Sequence, residues 1–120
     1  MTKKILLVDD DVSVLFAYGS MLRRERYEVD TVGNIKYAYE LLRRNAYDVA
    51  ILDLNLCSGG CEEGFELLRF IKSAHLVEVV IIVTANSTND VRERAYTIGA
   101  NHFFEKPVSL MRIQKAISES

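Results

Sequence analysis

KKILLVDDDVSVL, residues 3–15 of a 120-residue chain, sets an apolar run directly against a cluster of acids. Ile5, Leu6, Leu7 and Val8 are continuously apolar rather than alternating, the pattern of a strand covered on both faces. Asp9, Asp10 and Asp11 follow with no spacer. Behind them Val12, Leu15, Tyr18 and Leu22 recur at spacings of three and four, which predicts one face of a helix. A strand buried on both sides that runs into a helix is the opening unit of an α/β domain.

The rest of the chain repeats that unit. Tyr27 to Val32 reads as a second strand, and Gly33-Asn34 breaks it, with Asn34 placed to cap a helix bearing Ile35, Ala38 and Leu42. Val49 to Leu52 is a third apolar run, again ended by an acid, Asp53. A loop from Asn55 to Gly64 leads to a helix marked by Phe65, Leu68 and Ile71. Val79 to Val83 is the fourth strand, followed by cap candidates Ser87 to Asp90, a helix face of Val91, Ala95 and Ile98, and a stop at Gly99. Asn101 to Glu105 makes a short fifth strand, Lys106-Pro107 turns the chain, and Ser109 caps a last helix with Leu110, Ile113 and Ile117. Five β-then-α units predict an α/β fold with a doubly wound five-stranded parallel sheet and five helices, in three layers. In such sheets a ligand site lies beyond the carboxyl ends of the strands.

Bulk properties narrow the function classes. The length suits one domain spanning residues 1–120, and 49% hydrophobic with 27% charged residues is an ordinary globular balance. The formal net charge of −2 gives no drive toward nucleic acid or an anionic membrane, and no apolar run is long enough to span a bilayer. A cytoplasmic location is expected. Cys57 and Cys61 lack the further Cys or His that a zinc site needs and read as reduced thiols. Arg23 to Arg26 and Arg43-Arg44 read as solvated helix ends, and His75 and His102 as exposed loop or strand-start residues.

The strand ends carry the chemistry. Asp9 and Asp10 end the first strand, Asp53 the third, Thr84 the fourth and Lys106 the fifth, while Asp11 reads as the cap of the first helix. With neighbouring strands about 4.8 Å apart, these groups converge on one crevice. Two carboxylates about 4 Å apart repel by roughly 4 kcal/mol at an effective dielectric of ~20. One lysine cannot neutralise three acids, so the crevice needs raised pKa values or a cation. An all-oxygen donor set points to Mg²⁺, with Mn²⁺ as the alternative. A divalent cation beside a fixed lysine is the equipment that neutralises a phosphoryl group, and a carboxylate in the same pocket can act as nucleophile toward phosphorus.

These residues resemble the receiver domain of two-component response regulators, the chemotaxis-regulator type of domain. The matching strings are LLVDDD, AILDLN, IIVTA and FFEKPVS, in order between residues 5 and 109. The resemblance implies a flavodoxin-like sheet of order 2-1-3-4-5. It implies that Asp53 accepts a phosphoryl group from a sensor histidine kinase or phosphotransfer protein. Mg²⁺ is then bound by Asp10, Asp53 and the backbone carbonyl of Asn55, with Asp9 beside it through water. Lys106 pairs with Asp53 and then with the phosphoryl oxygens. Thr84 bonds a phosphoryl oxygen, and Phe103 is the switch aromatic that turns inward as Thr84 moves. Phe104, on the opposite side of the strand, is expected in the core. Asn86 lies where the family tunes hydrolysis, and the Lys106-Pro107 bond is a cis candidate. The changed surface would be the fourth helix, fifth strand and fifth helix, facing an output domain, an effector or a second copy of the chain. The domain would be a signalling phosphoacceptor, not an enzyme beyond assisting its own phosphotransfer and dephosphorylation. One departure is the loop after Asp53, which places Cys57 where the family has a proline and takes eleven residues to reach Gly64 where eight are usual. Altered partner access or acyl-phosphate lifetime is one reading of it, and a tolerated surface insertion is the other.

Two rivals remain at this level. Asp9-Asp10-Asp11 also fits the Asp-x-Asp motif of haloacid-dehalogenase-type phosphohydrolases, with Asp9 as nucleophile. A degenerate receiver acting only as an interaction module is the second. An acidic first β-α turn without glycine disfavours a nucleotide-binding domain.

Overall fold

A computed structural model describes residues 2–55 and 62–119. Strands β1 (Lys4–Val8), β2 (Glu28–Val32), β3 (Val49–Leu52), β4 (Val79–Thr84) and β5 (His102–Glu105) alternate with helices α1 (Val12–Arg24), α2 (Ile35–Arg44), α3 (Glu62–Ser73), α4 (Asn89–Ile98) and α5 (Leu110–Ser118). All strand pairs are parallel, in the order β2-β1-β3-β4-β5. The chain therefore steps outward from β1 to β2 and returns past β1 to β3. That reversal is the switch point, and it falls between the two strands that end in Asp9 and Asp53.

Alternate residues of each strand serve opposite faces. Leu6, Val8, Ala50, Leu52, Val80, Ile82 and Phe103 join one buried cluster with Ala38 and Leu42 of α2, Phe65, Leu68 and Ile71 of α3, and Ala95 of α4. Ile5, Leu7, Val49, Ile51, Val79, Ile81 and Val83 join the other, with Leu22 of α1 and Ile113, Ala116 and Ile117 of α5. Both faces of the central strands are thus closed, which is why their sequences run apolar without a break. Each fully buried aliphatic contributes on the order of 2 kcal/mol of transfer free energy.

The helix starts follow local chemistry. Asp11, Asn34, Thr88 and Ser109 are the N-caps of α1, α2, α4 and α5, each accepting a backbone amide of the first turn. Gly99 ends α4 with φ of 131°, a conformation that Gly adopts without a Cβ penalty.

Four expectations are corrected. Val12 does not face the core. It is 77% exposed, as is Phe16 at 75%, and the inner face of α1 begins at Leu15, which packs against the buried cluster. Helix α3 starts at Glu62, so Gly64 lies inside the helix rather than in the loop; Cys57 and Cys61 lie outside the described residues. Phe103 is buried, at 5% exposure, whereas Phe104 is only partly buried. His102 is half-buried at the start of β5, stacked parallel on Phe104, while His75 is exposed as expected.

Gly64 is held by close approach. A Cβ there would sit 2.6 Å from the Leu54 Cα and closer still to its carbonyl oxygen. Gly64→Ala is expected to lower the urea midpoint, equivalent to a loss of about 1–3 kcal/mol, although an open helical position would gain from alanine. A raised midpoint would show that the backbone at Leu54 yields freely.

Candidate functional site

Strand register builds the crevice. Val8 lies opposite Leu52 in the β1–β3 pair, so Asp9 and Asp53 leave the sheet side by side. The Asp53 amide donates to the Val8 carbonyl at 2.9 Å and extends the ladder one step beyond the strands. Oxygens of Asp9, Asp10 and Asp53 all come within 4.8 Å of one another. Asp9 and Asp53 are buried, at 3% and 5% exposure, and Asp10 is the solvent-facing member.

Asp9 and Asp53 are held in the same way. Asp9 Oδ1 accepts the Asp11 amide at 2.9 Å, and Asp53 Oδ1 accepts the Asn55 amide at 3.0 Å. Each carboxylate thereby closes a small turn with the chain two residues on. Their second oxygens converge on one cation: Lys106 Nζ donates to Asp9 Oδ2 at 2.7 Å and to Asp53 Oδ2 at 2.8 Å. Sequence reasoning paired Lys106 with Asp53 alone. The bridge to Asp9 depends on the lateral spacing of β1 and β3, which no string of residues reveals.

The charges do not cancel. Burial pushes the Asp9 carboxyl above its ordinary value, and the nearby charge of Asp53 adds to this, while hydrogen bonds from Lys106 and the Asp11 amide pull the other way and do not prevail. Burial also works against the Lys106 ammonium, but its hydrogen bonds to Asp53 and Asp9 outweigh that and hold its pKa above the ordinary lysine value. Lys106 is therefore charged at neutral pH and two buried carboxylates share it. Asp11 stands apart from this set. Its carboxylate caps α1 and is held below the usual range by the Ser13 hydroxyl and amide.

A folded-state pKa above the unfolded value contributes stability that is fully present below the unfolded pKa and is lost as pH rises through the folded one. For Asp9 the window opens near 3.8 and extends upward. Asp9→Asn, in metal-free buffer, is therefore expected to match the parent in stability near about pH 4 and to exceed it increasingly toward about pH 7. Urea titrations of the two proteins across that range give the difference directly. A gap that narrows with rising pH would contradict the sign.

The remaining predicted residues are placed as follows. Thr84 ends β4, fully buried, and its Oγ1 accepts the Asn86 amide at 3.3 Å. Its carbonyl accepts the Lys106 amide at 2.9 Å, which ties the lysine's main chain to the threonine's strand. Asn55 enters through its amide, on Asp53. The Lys106-Pro107 bond is cis. Phe103 is not poised outside waiting to turn. Its ring already lies inward, with the Arg92 guanidinium 5.2 Å above it and the Tyr96 ring 6.4 Å away. Helix α4 covers that side of β5, and this roof explains why Phe103, rather than Phe104, is the buried member of the pair.

Comparison with known proteins points one way. A family model described as response regulator receiver domain matches residues 5–118. Alginate biosynthesis transcriptional regulatory protein AlgB of Pseudomonas putida is 33% identical over 97% of this chain, which spans 25% of AlgB's length. A CheY-like response regulator receiver domain protein of Methanospirillum hungatei superposes with a TM-score of 0.90 at 25% identity, covering 99% of this chain and 93% of that one. A response regulator of Burkholderia pseudomallei, solved with a phosphorylated aspartic acid, calcium ion and citrate, shares the fold with a TM-score of 0.85 at 22% identity, covering 95% and 65%.

Proposed function

The chain belongs to the response regulator receiver domain family, and from that premise we propose that residues 1–120 form a phosphoacceptor domain whose acceptor is Asp53. The observation that carries the reading is the shared lysine: one ammonium bridges two buried carboxylates at the strand ends of a matched receiver sequence. Geometry treats Asp9 and Asp53 alike, so the choice of Asp53 rests on family position. The donor is a phosphohistidine of a sensor histidine kinase or phosphotransfer protein. A carboxylate oxygen of Asp53 bonds to phosphorus, and the phosphorus–nitrogen bond breaks, leaving its electron pair on the imidazole, which takes up a proton.

The crevice fits a divalent cation. Its donors are hard oxygens, they are clustered within 4.8 Å, and Asp10 turns its carboxylate to solvent with no described partner of its own. Asp10, Asp53 and the Asn55 carbonyl would hold Mg²⁺, or Mn²⁺, directly, and Asp9 through water. When bound, the cation offsets the charge of the phosphoryl oxygens. Lys106 then exchanges Asp53 Oδ2 for a phosphoryl oxygen while keeping Asp9. The Thr84 hydroxyl, which spends only its acceptor side on the Asn86 amide, still has its proton to donate to the phosphoryl group. The influence of Asn86 on hydrolysis is carried over from its position in the family; its backbone amide donates to the Thr84 hydroxyl. Because Thr84 carries the Lys106 main chain, its motion passes to β5, Phe103 and the α4-β5-α5 surface. That surface would face an output domain, an effector or a second copy of the chain. Among the described residues no helix is long and apolar enough to cross a membrane, and the proposed signalling role is a cytoplasmic one.

The test is residue mapping. Incubation with Mg²⁺ and acetyl phosphate, followed by mass mapping, should place one phosphoryl group on Asp53. Phosphate on Asp9 would favour the hydrolase chemistry, and none at all would leave an interaction module.

A further inference from the structure

We propose that Tyr18 is a positioning residue for Lys106, acting through the turn that follows the lysine; the inference rests on the phosphoacceptor reading above. Lys106 must keep its ammonium within hydrogen-bond reach of two carboxylates that belong to different strands. Its main chain is fixed on one side, where its amide meets the Thr84 carbonyl. On the other side the chain turns through Pro107 and Val108 into α5. Ser109 caps that helix, and the amides of Arg112 and Ile113 both reach back to the Ser109 carbonyl. The Val108 carbonyl therefore stands outside the helical ladder.

Tyr18 fills that need from 90 residues away. Its hydroxyl donates to the Val108 carbonyl at 3.0 Å. The ring comes from the inner face of α1 and packs on the same cluster that holds Val108, Ile113 and Ala116. A phenylalanine would pack as well, so the hydroxyl is what distinguishes this side chain. The location gives the bond its meaning. Helix α1 starts from the segment that carries Asp9, and the Val108 turn starts from Lys106. The Asp9–Lys106 ion pair closes one end of this unit, and the Tyr18–Val108 hydrogen bond closes the other. Cutting the second frees the turn to shift, and shifts of about 1 Å at a reacting centre cost on the order of 100-fold in rate.

The experiment is Tyr18→Phe in the whole chain, with Mg²⁺ and acetyl phosphate. Uptake on Asp53 should slow roughly tenfold, as for other residues that orient a reacting group from behind. In a Lys106→Met background the same substitution should slow uptake no further, because its effect passes through the lysine. A role in packing alone predicts the opposite: an unchanged rate in the parent, or the same factor in both backgrounds, and either result overturns the proposal. A second reading needs no phosphate. The Lys106 Nζ resonance, assigned by its loss in Lys106→Met, should move in Tyr18→Phe, and an unmoved resonance overturns the inference. If the unsubstituted chain takes no phosphoryl group on Asp53, the functional reading fails separately and the resonance alone decides the case of Tyr18.

Discussion

Asp53→Asn should take up no phosphoryl group from acetyl phosphate, while Asp9→Asn should still take it up, more slowly. The two substitutions look equivalent in the structure. Each removes one charge from a buried carboxylate that accepts a backbone amide with Oδ1 and shares Lys106 with Oδ2. Each leaves an amide of nearly the same shape, whose oxygen can still close its turn. Packing and hydrogen bonding therefore change by similar amounts, and stability alone cannot separate the roles. Chemistry does. An asparagine oxygen is a poor nucleophile and offers no stable acyl phosphate, so loss at the acceptor position is complete. Loss at Asp9 removes one charge and one ligand-orienting group, for which a reduction of about 10–100-fold is the expected scale. Mass measurement after a fixed incubation, with time courses for the slower variant, reads both. Phosphorylation of Asp53→Asn together with inert Asp9→Asn would transfer the acceptor role to β1.

Much of this arrangement is legible before any coordinates. The strands announce themselves because closed faces demand unbroken apolar runs, and the caps because Asp11, Asn34 and Ser109 each stand where a helical pattern begins. A parallel sheet then brings residues at strand ends together by construction, which is why Asp9, Asp10, Asp53 and Lys106 could be grouped from their positions. What escaped was lateral and long-range. Period two shows that Phe103 and Phe104 point to opposite faces, but not that α4 roofs the first more fully than α5 covers the second. Gly64 looks like a loop residue, since nothing local records that Leu54 lies against it. Val12 keeps perfect helical spacing yet stands in solvent. Arg94 grips Glu62 with two hydrogen bonds, of 2.6 and 2.9 Å, and lies 4.2 Å over the Phe65 ring, joining α4 to α3 across 32 residues without any motif to mark it. Tyr18 escaped for a related reason: its partner is a backbone carbonyl, and carbonyls carry no sequence signature.

Lys106→Met should destabilise the metal-free protein at neutral pH by about 3 kcal/mol and slow phosphoryl uptake on the order of 100-fold. Methionine keeps most of the stem and its packing, so the change removes charge with little change of volume. Two effects bound this loss of stability. Breaking a buried ion pair by removing one partner costs about 3–5 kcal/mol. The crevice has an escape, however, because one acid can bind a proton. Holding a carboxyl of ordinary pKa 3.8 neutral at pH 7 costs about 4 kcal/mol, at 1.36 per pH unit, so the loss cannot greatly exceed that figure. The escape also fixes the pH dependence. In the parent, the hydrogen bond and charge of Lys106 pull the Asp9 pKa down against burial; without them it rises further. A folded-state pKa raised above the unfolded one gives stability that is present at low pH and lost as pH rises through it. The deficit of Lys106→Met should therefore be small near about pH 4 and full near pH 7. Divalent cation should reduce it, because a crevice without the ammonium binds the ion more tightly than the parent's does and therefore gains more stability from it. Urea unfolding of parent and variant at several pH values, with and without Mg²⁺, tests all three statements together. A deficit that ignores both pH and Mg²⁺ would mean that Lys106 holds the strand ends by shape rather than by charge. The crevice would then lack the electrostatic tension from which its phosphoryl chemistry is derived.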